Sequence, residues 1–311
     1  MAFTEAFHHP SPTGARLQVY ATLPEGARPR AIVQINHGLA EHAGRYARFA
    51  GLLAARGFAS YAHDHRGHGR TQAPDAPLGR FAASEGAAKV VADVLAVHDL
   101  IAERHPGLPV IVFGHSMGGL VALDFALSHP TRATALAVWN ANFSAGILGR
   151  LAQGILAWER FRMGSDVPSR LLPRLTFAAW GNAMPNPRTP FDWLSRDEAE
   201  VDAYVADPLC GWDASVSLWQ DIFKLIFLGA SDRNLASLPK HLPIHLVGGA
   251  EDPATDKGKA VSALSSRLAA LGFSDVTTRI YPDTRHESLN ELNRDGIMRD
   301  FAEWLEALPK G

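Results

Sequence analysis

Short apolar runs alternate with longer stretches of helical period along most of the chain. Arg16-Leu17-Gln18-Val19-Tyr20 alternates like a half-exposed strand, and Ala31-Ile32-Val33-Gln34-Ile35 reads as a more buried one. A helix is expected over about residues 45–56, stopped by Gly57, with a strand returning at Phe58–Ala62. A second helical pattern spans about 87–104 and ends before Pro106. Leu108–Phe113 then predicts a strand, Leu120–Leu127 a helix and Ala133–Trp139 a strand. Late in the chain come a strand at Ile244–Val247, a helix at Lys259–Leu271, a strand at Val276–Tyr281 and a helix at Ile297–Leu308. Such alternation predicts an α/β class, a mainly parallel central sheet with helices on both faces.

Between Phe143 and Ser237 this rhythm breaks. The segment is rich in tryptophan, turns at Pro185, Pro187 and Pro190, and contains apolar stretches at 147–151 and 218–228 without a β-α-β unit. It reads as a helical cap inserted over the carboxyl edge of the sheet. The division is then a core of residues 1–142 and 238–311 and an insertion of 143–237, with additional core helix as the alternative. The stretch 218–228 is apolar over most of a helical circumference. That fits core packing, an acyl-chain groove, or lid contact with a lipid surface.

Composition acts mainly by exclusion. With 47% hydrophobic and 20% charged residues in 311, the chain has material for a sizeable core and no general disorder. A net charge of −2 offers no footprint for nucleic acid. The lone Cys210 forms no internal disulfide. Met1–Pro10 lacks a signal-peptide pattern and no apolar run has membrane-spanning length, so a cytoplasmic location is expected.

The chemistry concentrates at Gly114-His115-Ser116-Met117-Gly118, a G-x-S-x-G between a predicted strand and a predicted helix. That turn presents a serine nucleophile, which needs an imidazole to accept its proton and a carboxylate to hold the imidazole in the right tautomer. On such a sheet the order is serine, acid, histidine, each just after a strand. His286 meets the last requirement, and Asp252, kept out of helical geometry by Pro253, meets the second; Glu251 and Asp256 share its loop as rivals. Charge developing on a substrate carbonyl oxygen calls for donors, and the backbone N–H groups of Met117 and Leu39 are the candidates.

Three segments, His37-Gly38-Leu39-Ala40-Glu41-His42-Ala43-Gly44-Arg45-Tyr46, Ala62-His63-Asp64-His65-Arg66-Gly67-His68-Gly69 and Gly114–Gly119, carry a resemblance to a known family. Gly249-Ala250-Glu251-Asp252-Pro253 and Arg285–Glu291 extend it. The chain resembles the α/β-hydrolases of the monoacylglycerol lipase and lysophospholipase group, which is also grouped with serine aminopeptidases. The resemblance implies a serine esterase with a helical cap, a triad of Ser116, Asp252 and His286, oxyanion donors at Leu39 and Met117, and no cofactor or metal. Its substrate would be a small or single-chain lipid ester; transient membrane-surface contact through the cap is the expectation that the apolar stretch 218–228 adds.

Other residues weigh less. His63, His65 and His68 beside Asp64 lack metal-site spacing, and the resemblance implies a structural loop shaped by Gly67 and Gly69. His37 and His42 read as buttresses, Glu41 and Arg45 stand four apart and can pair, and Cys210 reads as inert. Asn140 and Asn142, after a predicted strand, suit either contact with a polar head group or a tie between insertion and core. Two other functions stay open. An aminopeptidase needs an insertion carboxylate such as Glu159, Glu198 or Glu200 for the substrate ammonium. A non-catalytic binding protein on the same scaffold needs no triad. Haloalkane and epoxide chemistry is disfavoured, because a carboxylate would stand in place of Ser116.

Overall fold

The computed structural model describes residues 3–144 and 146–309. Met1, Ala2, Ala145, Lys310 and Gly311, which the expected core and insertion take in, lie outside the described residues, as does the Leu148 side chain. Strands β1 (Glu5–Pro10), β2 (Arg16–Thr22), β3 (Ile32–Asn36), β4 (Ala59–His63), β5 (Val110–His115), β6 (Ala135–Trp139), β7 (Ile244–Gly249) and β8 (Val276–Tyr281) form one sheet. Its order is β1-β2-β4-β3-β5-β6-β7-β8. The first two pairings, β1 with β2 and β2 with β4, are antiparallel, and all others are parallel.

Parallel strands covered on both faces should be apolar throughout, and the central ones are fully buried. Alternate residues serve opposite faces. Ile111, Phe113 and Trp139 pack with Phe49 of α1 (Ala47–Ala55) and Phe301 of α11 (Arg294–Ala307). Val112, Leu136 and Val138 face the other way, against α2 (Gly86–Arg104), α3 (Met117–Ser128) and α10 (Lys259–Ala270). The expected helices start or stop within a few residues of these bounds, and Gly57, at φ 84°, does end α1.

From β3 the chain passes to β4 on one side, and later from β5 to β6 on the other. The loops leaving β3 and β5 therefore diverge, opening a crevice at the carboxyl ends of those strands, where open α/β sheets bind ligands. Between β6 and β7 the described residues form six helices: α4 (Gly146–Met163), α5 (Leu172–Leu175), α6 (Phe177–Asn182), α7 (Glu198–Ala206), α8 (Val216–Gly229) and α9 (Asp232–Leu235). Among the described residues no helix is long and apolar enough to cross a membrane.

Candidate active site

Ser116 stands at the turn between β5 and α3 with φ 54° and ψ −120°. That backbone costs a side-chain-bearing residue about 1–3 kcal/mol and persists only where its surroundings hold it. The Ser116 N–H donates to the Trp139 carbonyl at 2.8 Å, tying the turn to β6. A Cβ on Gly114 would run into the Gly118 carbonyl, and one on Gly118 into the Asn36 carbonyl. Both glycines are thus demanded by the close approach of α3 to β5 and β3.

The two partners arrive from 136 and 170 residues away. His286, in the loop after β8, places Nε2 2.9 Å from Ser116 Oγ, and its Nδ1 lies 3.0 Å from both oxygens of Asp252. A carboxylate only accepts, so Nδ1 carries the proton and Nε2 presents a lone pair to the serine hydroxyl. Asp252, after β7, is fully buried and extended (φ −77°, ψ 108°), as Pro253 requires. Its Oδ1 accepts the Ala254 N–H at 2.9 Å, and Oδ2 accepts from Thr255 Oγ1 at 2.8 Å and Asn140 Nδ2 at 3.3 Å. Burial would raise this carboxyl, but His286 and these donors hold it below the ordinary carboxylate range. Burial would likewise lower the His286 imidazole, and Asp252 overrides it and raises it above 6.5. The rivals turn elsewhere: Glu251 is exposed toward Arg285, and Asp256 pairs with Lys259 at 3.1 Å.

Leu39 and Met117 line the same cavity as Ser116, and among the described residues neither backbone N–H has an acceptor. His37 Nδ1–H donates to the Gly38 carbonyl at 2.8 Å. Because a trans peptide points its N–H opposite its carbonyl, this bond also aims the Leu39 N–H away from His37. Glu41 Oε1 accepts the Gly38 N–H at 2.6 Å and the Tyr46 hydroxyl at 2.8 Å, while Oε2 accepts from Arg45 at 2.8 Å. Arg45 also forks onto Glu287, the neighbour of His286, at 2.5 and 2.7 Å. Burial alone would raise Glu287, yet the guanidinium holds it down to about 2. The four-residue spacing foretold the Glu41–Arg45 pair. Nothing local foretold Glu287, through which Arg45 couples the two loops.

The two asparagines differ. Asn140 is buried, its amide spent on Asp252 and its Oδ1 accepting Ser288 Oγ–H at 2.9 Å, so it holds the acid and the histidine loop. Asn142, which like Asn140 lines the cavity, donates to the Ala254 carbonyl at 2.9 Å. Thr255 was not singled out in the sequence, although Asp-Pro-x-Thr is a turn in which an aspartate caps its own following residues.

His37, His63, His65 and His68 are buried beside one another, with His37 and His65 ring centres 4.4 Å apart. Burial pushes His63 down to about 3 and His68 to about 4, so they pack as neutral rings. Among the described residues, one group gathers metal-ligand atoms: in His42, Asp207 and Cys210 these atoms lie within 4.8 Å of one another. His42 Nδ1 accepts the Gly44 N–H at 3.2 Å, so the proton sits on Nε2 and goes to Asp207 at 2.9 Å. That nitrogen has no lone pair to offer a cation.

Beyond Ser116 opens a cavity of about 600 Å³, walled mostly by apolar residues including Ala152, Ile155, Phe177, Trp180, Ile222 and Phe223. Helix α8 serves two purposes: Leu218 and Leu225 enter the core, while Ile222, Phe223 and Ile226 face the cavity. Glu159, Glu198 and Glu200 are not among the residues that line it. Glu159 is buried under Ser169, Arg170 and Leu171, Glu198 lies against Arg188, and Glu200 against Arg48.

Comparison with known proteins places the chain in a family. The family model described as serine aminopeptidase, S33 (Hydrolase_4) matches residues 27–293. The chain is 30% identical over 308 residues to a monoacylglycerol lipase of Mycolicibacterium smegmatis, covering 94% of this chain and 93% of that protein. It is 30% identical over 281 residues to the monoglyceride lipase of Homo sapiens, covering 89% and 82% respectively. The structure is similar to a thermostable carboxyl esterase from Bacillus coagulans in complex with glycerol, with a TM-score of 0.89, 25% identity and 99% of each chain covered.

Proposed function

Because the chain belongs to the serine aminopeptidase S33 family of α/β-hydrolases and is 30% identical to monoacylglycerol lipases, we propose that it hydrolyses single-chain lipid esters through an acyl-enzyme on Ser116. The observation that carries this reading is a linked serine, imidazole and buried carboxylate at the floor of a large apolar cavity. Ser116 Oγ attacks the ester carbonyl as His286 Nε2 takes its proton, and Asp252 stabilises the imidazolium. The N–H groups of Leu39 and Met117 hold the negative oxygen, with the α3 dipole adding to the second. The C–O bond to the alcohol breaks as Nε2 returns the proton to the departing oxygen. Water, deprotonated by the same nitrogen, then releases the acid and regenerates Ser116. In this reading residues 1–142 and 238–311 carry the machinery, and 143–237 form a cap that encloses the acyl chain.

Peptide cleavage is the rival with the same triad. It lacks a free carboxylate for a substrate ammonium, since the two in the cavity wall, Glu41 and Glu287, both hold Arg45. A medium-chain nitrophenyl ester should be turned over at least about 100-fold faster, as kcat/KM, than an aminoacyl anilide, matching the loss usual when a buried charge finds no partner. Preference for the anilide would overturn the ester reading.

The base must begin neutral, so kcat/KM should rise with pH through the pKa of His286 in the free enzyme. Since Asp252 raises that pKa, the midpoint is expected above 6.5, and Asp252→Asn should move it down. A profile flat from about pH 5 to 9 while chemistry limits the rate would contradict the mechanism.

The cap also presents an apolar stripe to solvent. Ile147, Leu151, Trp158 and Phe161 are 78%, 59%, 53% and 90% exposed, and their spacing along α4 puts them on one helix face. Contact with a lipid surface fits that face, with Arg150 and Arg162 beside it. Trp158→Ser with Phe161→Ser should lower sedimentation with anionic vesicles several-fold while sparing turnover of a soluble short ester. Unchanged sedimentation would remove this contact from the account.

A further inference from the structure

Ala40, next to the proposed oxyanion donor Leu39, adopts φ 55°, a conformation that L residues keep only where neighbours hold them. Two donors hold its carbonyl, and both come from the insertion. The Tyr204 hydroxyl donates at 2.9 Å from the last turn of α7, and the Gly211 N–H donates at 2.9 Å from the loop beyond it. The Tyr204 ring is buried and carries the Arg45 guanidinium on its face, 4.9 Å from the ring centre. Arg45 in turn bonds Glu41, which takes the Gly38 N–H. The backbone is therefore pinned on both sides of Leu39, by core residues before it and by Tyr204 after it.

We propose that Tyr204 is a positioning residue for the oxyanion hole: its hydroxyl fixes the Ala40 carbonyl and thereby the direction of the Leu39 N–H. The insertion then supplies part of the catalytic geometry as well as a cover for the substrate. This rests on the ester-hydrolase reading and on Leu39 as a donor. Donors in such a hole act on the transition state more than on bound substrate, and small misplacements there lower turnover steeply.

Tyr204→Phe removes one oxygen and leaves the ring over Arg45. With a short soluble acyl ester, kcat is expected to fall about ten- to thirtyfold with KM within about twofold. A trifluoromethyl ketone, whose serine adduct places a negative oxygen in the hole, should bind weaker by a similar factor. A merely structural role would leave that parallel absent. If Tyr204→Phe unfolds at the assay temperature, Ala40→Gly is compared with the double variant Ala40→Gly/Tyr204→Phe. Glycine takes φ 55° without strain, so the added loss from Tyr204→Phe should be less than about threefold there. The proposal is overturned if kcat is unchanged in Tyr204→Phe, if kcat falls with ketone affinity intact, or if the loss is equally large with Gly at position 40. A wild-type chain that cleaves no ester, and whose Ser116 resists a fluorophosphonate, would instead bring down the ester-hydrolase reading itself.

Discussion

Ser116→Ala and His286→Ala are each expected to lower kcat/KM for a short acyl ester by about 10⁴- to 10⁶-fold, with little further loss on combining them. The two atoms they remove share one hydrogen bond of 2.9 Å, and neither works without the other: an unassisted hydroxyl is a weak nucleophile, and an imidazole without the serine has nothing to deprotonate in the acyl step. Asp252→Asn should cost about 10⁴-fold, because an amide can donate to Nδ1 and favour the tautomer whose Nε2–H faces the serine. Leu39→Ala and Met117→Ala, by contrast, keep the backbone N–H and should stay within about tenfold of the parent, since the charge is held by main-chain groups. Steady-state kinetics on the five variants, with circular dichroism to establish folding, separates these cases. Losses of similar size at all five positions would refute the assignment, as would a Ser116→Ala protein that still reacts with a fluorophosphonate.

Ile222→Trp is expected to divide substrates by length. Ile222 is a buried residue of α8 that lines the apolar cavity. An indole there removes space along the path of an acyl chain without approaching the hydrogen bonds of the site. For a dodecanoyl ester kcat/KM should fall by about 100-fold or more, since each methylene denied its apolar contacts is worth about 1–3 kcal/mol. For an acetyl or butyryl ester the change should remain within about threefold. Overpacking costs about 1–3 kcal/mol of stability, so melting is measured alongside. Equal losses for short and long chains would show that the cavity does not house the acyl group. Phe223→Ala, which widens the same wall, should move the preference toward longer chains.

What was legible in the sequence has a common physical origin. Period-two burial, helical period and glycine stops act over a few residues, so the alternating strands and helices, the Gly-flanked turn at Ser116 and the extended backbone at Asp252 could be read directly. The helices between β6 and β7 fall where that rhythm breaks. Strand β1 was not anticipated: it is an edge strand paired only with β2, largely exposed, and its residues Glu5-Ala6-Phe7-His8-His9-Pro10 need no continuous apolar face. The groups that surround the chemistry were also out of reach. Arg45 meets Glu287 across 242 residues, Asn140 meets Asp252 across 112, and Tyr204 meets Ala40 across 164. No local spacing encodes such partners, because a side-chain hydrogen bond depends on where two backbones come to rest. The chain by itself determined which residues have the chemistry and which strand ends carry them. Only the packed sheet and insertion decided the distances between them, since directional contacts of about 3 Å form only once the tertiary fold has brought distant segments together.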